Sequence, residues 1–142
     1  VLVSPLFLNA QQDPPPALDK ALVKQFVTEA HRDIDKVKKM LTETPNLINA
    51  VHNWGAWDWE DALGAAAHMG HYDMAKFLLE KGARMTICSA AMMGELDIVK
   101  SFIQAFPYMK NAVGAHNITL LEHAEAGKDK AVKVVDYLKG LH

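Results

Sequence analysis

The chain has 142 residues, half of them hydrophobic and 23% charged, which is the size and make-up of one globular domain and excludes both a short peptide and a wholly disordered tail. Its 15 Lys and Arg against 17 Asp and Glu leave a formal charge of −2, with no clustered basic face to hold a phosphate backbone, so nucleic acid is not expected as a partner. Cys88 stands alone, which rules out an internal disulfide and a cysteine-based zinc site.

Residues 1–17, "VLVSPLFLNAQQDPPPA", pass from an apolar run to a polar, proline-rich stretch. The run resembles the tail of a secretory leader with cleavage after Ala10, although Leu8 occupies a place where a small residue is preferred. A flexible terminus or an apolar strap on the domain is the alternative, which leaves location open between exported and cytoplasmic. No run approaches the roughly 20 apolar residues that cross a bilayer, so no membrane span is expected.

Residues 18–142 form the second unit, a set of repeats. Three ten-residue segments superimpose without gaps: "RDIDKVKKML" from Arg32, "GHYDMAKFLL" from Gly70 and "GELDIVKSFI" from Gly94. Each places Asp fourth, Lys seventh and apolar residues third, sixth, ninth and tenth, which predicts a helix with an acidic first turn and a buried stripe. Ahead of each lies a second helix, over Leu18–His31, Asp61–Met69 and Ile87–Met93; in the latter two, small residues allow close approach. A fourth copy from Ile118 to Leu141 turns near Gly127 and closes the chain. The expected fold is therefore all-α: a short solenoid of about four helix-turn-helix pairs with irregular hairpin loops.

These residues resemble the ankyrin repeat. Leu63, Ala66, Ala67, Gly70, His71, Leu78, Leu79, Gly82 and Ala83 match its pattern, and Asn111, Ala112, Thr119, Leu121 and Ala124 match the approach to the fourth pair. The T-P-L-H tetrapeptide is Asp61-Ala62-Leu63-Gly64 in one copy and Thr119-Leu120-Leu121-Glu122 in another, so its histidine is missing from both. Gly70 to Gly94 spans 24 residues against the roughly 33 of a unit, which reads as a deleted hairpin before the third pair. The finger before the second pair is correspondingly long and carries all three tryptophans. The combination resembles small degenerate ankyrin proteins of bacteria, some of them exported.

The resemblance implies a protein-binding module with no catalysis, no cofactor and no metal, whose hairpin tips and inner helices hold one protein partner. The expected contacts are Trp54, Trp57, Asp58, Trp59 and Glu60 on the long finger, with His116 and Asn117 on the next. Exposed aromatics beside charge have the make-up of an interface centre. The structural alternative is that the finger folds over to fill the gap left by the missing hairpin, or that one tryptophan anchors while two stay outside. A second function is a small-ligand or metal site in the concave groove, built from the finger with His68, His123 and Glu122. His68 and His71, three apart, form a further candidate ligand pair.

The remaining residues read as scaffold. Met69, Met92 and Met93 are expected in the core, Cys88 as a small buried hydrophobe, and "KDKAVK" from Lys128 as a solvated face. Ser89 and Ser101 lack an activating turn, and no phosphate-cradling loop is present. A monomer or weak homo-oligomer is expected, self-association through an open end of the stack being a third possibility.

Overall fold

A computed structural model describes residues 15–141, so the leader-like segment with its cleavage point at Ala10 falls outside the described residues. The aligned decads become helices that start at their third place: α2 (Ile34–Glu43), α4 (Tyr72–Glu80) and α6 (Leu96–Ala105). Asp35, Asp73 and Asp97 accordingly lie in first turns, where a carboxylate favours the positive end of the helix dipole. Their partners are α1 (Lys20–Ala30), α3 (Ala62–His68) and α5 (Ile87–Met93), and the fourth pair is α7 (Leu120–Ala126) with α8 (Val132–Lys139).

Side-chain caps set where the inner helices begin. Asp19 accepts from the Leu22 N–H, Asp61 from the Gly64 N–H, Thr86 from the Ser89 N–H and Thr119 from the Glu122 N–H. Ser89 and Glu122 reach back to complete capping boxes. The carboxylate of Glu122 is thereby taken up at the start of its own helix.

The four inner helices stack in chain order, α1 on α3, α3 on α5 and α5 on α7, while α2, α4, α6 and α8 form the second layer. Ala62, Ala65, Ala66, Ala67, Ala90, Ala91 and Ala124 are fully buried between inner helices, which explains the small-residue composition. All seven residues of α5 are buried. Met92 and Met93 pack with the first two pairs and Ile87, Cys88, Ala90 and Ala91 with the last two, so α5 joins the two halves of the core. Met69, expected inside with them, is instead 48% exposed.

The fold departs from the all-α expectation at the long finger, which forms a two-stranded antiparallel hairpin, β1 (Val51–Gly55) and β2 (Asp58–Asp61). Between α4 and α5 the chain runs through residues 81–86 without a strand, so the deletion read from the repeat spacing leaves a real gap on the hairpin side. Among the described residues no helix is long and apolar enough to cross a membrane.

Candidate functional site

The site is built by the pleat of the finger. Val51 pairs with Asp61, His52 with Glu60 and Asn53 with Trp59, so the hairpin presents two chemically distinct faces. Val51, Trp59 and Asp61 look towards the gap; His52, Trp54, Asp58 and Glu60 look the other way, with the register irregularity between Asn53 and Gly55 falling at Trp54. Trp57 sits in the turn between the strands.

On the gap side lies an open groove of about 640 Å³, walled by Val51, Trp57, Trp59, Met85, Phe102 and Met109. Trp57 and Trp59 remain 64% and 58% exposed there. Trp57 and Trp59 therefore line the space of the missing hairpin without filling it, while Trp54 is half-buried on the other face.

On the opposite face the Glu60 carboxylate, 2% exposed, sits at the centre of a polar cluster. Trp54 Nε1–H donates to its Oε2 at 2.7 Å and His68 Nε2–H to its Oε1 at 2.8 Å. His31 Nε2 lies 3.5 Å from Oε1 and His116 Nε2 3.5 Å from Oε2. Burial pushes the Glu60 carboxyl up, but His31, His68 and Trp54 outweigh it and hold the group at about 2, an anion at any physiological pH. The same carboxylate is the foremost cause of the raised His31 imidazole.

Groups outside the cluster orient its members. His31 Nδ1–H donates to the Val27 carbonyl at 2.9 Å. Asp58 takes both the backbone N–H and the Nδ1–H of His116, at 2.8 and 2.7 Å, and so ties the long finger to the short one around residues 113–119. His116 and Asn117 are both left-handed, φ 59° and 61°, a conformation that costs a non-glycine residue roughly 1 kcal/mol and persists where the surroundings demand it.

The seven expected contact residues thus divide. Trp57, Trp59, His116 and Asn117 are exposed, Trp54 and Asp58 are half-buried and turned to the cluster, and Glu60, 2% exposed, lies beneath the rim. The alternation of β2 is the physical reason: if Trp59 faces outward, Glu60 faces inward. Of the alternative trio, His68 turns to Glu60, the Glu122 carboxylate is taken up in capping α7, and His123, 1% exposed, donates Nδ1–H to the Thr119 carbonyl at 2.8 Å and lines the groove beside Trp57 and Trp59. His68 and His71 also part: His71 donates to the His31 carbonyl at 2.6 Å, a structural contact between repeats. Cys88 is the buried hydrophobe expected, its thiol pushed up to about 11 by burial. His31 is the member sequence reading missed, because only stacking brings the end of α1 to β2.

The ankyrin repeat family model matches residues 60–89, from β2 into α5, and paired helices stacked in register with a hairpin finger projecting beside them agree with that match. The chain is also 36% identical over 83 residues to the human NAD-capped RNA hydrolase NUDT12, and 37% identical over 78 residues to the proteins of that name from Macaca fascicularis and Pongo abelii. Those stretches cover 58% and 54% of this chain but only 17% and 16% of the relatives, so the chain spans about a sixth of their length. Ankyrin repeats in general are protein-interaction modules.

Proposed function

We propose that this chain is a protein-binding module without catalysis of its own, which holds an apolar-bearing segment of a partner in the groove between its two fingers. The observation that carries the reading is the pair of exposed tryptophans, Trp57 and Trp59, on the wall of a 640 Å³ apolar groove at the position of the missing hairpin. A Trp supplies large contact area at low entropic cost, and hot spots concentrate on such residues where a pocket excludes water. The fingers and inner-helix ends are the surface by which a stack of this kind grips its partner. Catalysis is not carried over from NUDT12, given the small share of that enzyme matched.

Selection of peptides from a random display library against the folded protein, followed by calorimetry, tests the reading. Trp57→Ala or Trp59→Ala should weaken the best peptide by roughly 30-fold, about 2 kcal/mol, without changing the melting temperature. Peptides whose affinity survives both substitutions would overturn the assignment.

A further inference from the structure

Three imidazoles converge on the Glu60 carboxylate of β2, drawn from the C-terminal cap of α1, from α3 and from the turn of the short finger. We propose that His31, Glu60, His68 and His116 form a binding site for one divalent first-row transition-metal ion, Zn2+ foremost, which staples the first repeat and both fingers together.

The ligating atoms of the four residues all lie within 4.8 Å of one another. His68 Nε2 is 3.2 Å from His31 Nε2 and 2.8 Å from Glu60 Oε1, and the remaining contacts to the carboxylate are 3.5 Å. Ligand atoms set tetrahedrally at the usual zinc bond length of about 2.1 Å are ~3.4 Å apart, so side-chain adjustments that close the widest pair by up to about 1.4 Å admit an ion. Nitrogen-rich ligation with one carboxylate and no thiolate suits zinc and its first-row neighbours, not calcium or magnesium.

The hydrogen bonds behind the ligands give the second line of support. A carbonyl oxygen only accepts, so His31 carries its proton on Nδ1, and in the neutral ring the Nε2 lone pair faces the cluster. Asp58 does the same for His116 through Nδ1–H, the carboxylate–histidine arrangement that orients imidazole ligands to metals. The Trp54 indole occupies Glu60 Oε2, leaving Oε1 facing His31 and His68. An ion takes the place of the proton that His68 now shares with Oε1. The cluster is not sealed: a cavity lined by Thr28, His31, Arg32, Trp54 and His116 opens over it and supplies the way in.

Four protein ligands make a structural site. The ion would lock the separation of the fingers, and with it one wall of the groove, but the site stands independently of whether a peptide binds there.

The test is calorimetric titration of chelator-stripped, folded protein with ZnCl2, with Co2+ absorption as the reporter of coordination. One ion per chain should bind, raise the melting temperature by several degrees, and give the intense d–d bands of low-coordinate cobalt. His116→Ala, at an exposed position, and Glu60→Gln should each weaken binding by more than 100-fold in protein shown to be folded by circular dichroism. Asp58→Asn, a positioning change, should weaken it by roughly 10- to 100-fold. His52→Ala, which removes an adjacent histidine outside the set, should leave it unchanged. Failure of the folded wild-type chain to bind either ion one-to-one, or equal affinities in His116→Ala and His52→Ala, would overturn the site.

Discussion

Trp54 and Trp59 differ in the face of the hairpin they occupy, and this difference assigns them different work. The Trp54 indole N–H meets a buried carboxylate, so Trp54→Phe removes a charge-assisted donor and should lower stability by about 1.5 to 3 kcal/mol in urea unfolding. Trp57→Ala and Trp59→Ala, at exposed positions, should stay within about 0.5 kcal/mol of the parent in the same assay. The clustering of the tryptophans on one finger was plain in the sequence, and so was the cue that sorts them. Residues 58–60 read Asp-Trp-Glu, and a period of two sends Trp59 one way and Asp58 and Glu60 the other. Glu60 is therefore the inward member of the finger, beneath the rim that Trp59 borders. No local signal marks His31, whose meeting with Glu60 and His68 depends on how α1 stacks on α3.

Helix registers were legible because their causes are local: an acidic first turn, a capping side chain and a 3.6-residue apolar period. The glycine between the paired helices α5 and α6 carries a longer-range constraint. Gly94 has φ +80°, and a Cβ there would press into the Lys130 carbonyl, whereas Gly82, at φ +97°, has open space. Gly94→Ala should therefore cost about 2 to 3 kcal/mol in urea unfolding and Gly82→Ala only about 1, the left-handed penalty alone. Equal costs would mean that the close approach of α5 to the fourth repeat does not limit this turn.

The join between α1 and α2 depends on charge. Glu29 accepts from Arg32 at 3.2 and 3.1 Å and from Lys36 at 2.7 Å, and these bonds, those of Arg32 foremost, lower its carboxyl from about 4.5 to about 2. A folded-state value below the unfolded one stabilises at pH above 4.5, and that contribution is lost as the pH falls towards 2. Glu29→Gln should thus cost about 1 kcal/mol at pH 7, modest because both cations are partly solvated and screened. The gap from the parent should narrow below pH 4.5. Urea midpoints from pH 7 to pH 3 check this, and a constant gap would assign the effect to packing.

At the scale of the whole molecule, losing one hairpin from an ankyrin-type stack opens a groove that the neighbouring fingers border. The inner helices close ranks without the lost segment because α5 is small-sided and wholly buried, and the stack runs unbroken past the gap. Repeat spacing made the missing hairpin legible; whether the long finger would plug the gap or frame it was not, since that depends on the geometry of both fingers and on the Asp58–His116 contact between them. The finger emerges as a two-sided element, one side holding the fold around Glu60 and the other leaving two tryptophans exposed on the groove. The three indole N–H signals in a 1H–15N correlation spectrum, assigned through single Trp→Phe variants, test this most directly during titration with the tightest peptide from the display selection. Saturable shifts of the Trp57 and Trp59 signals are expected with Trp54 left in place; a response at Trp54 alone, or at none of the three while the peptide binds, would mean that the groove is not where the peptide is held.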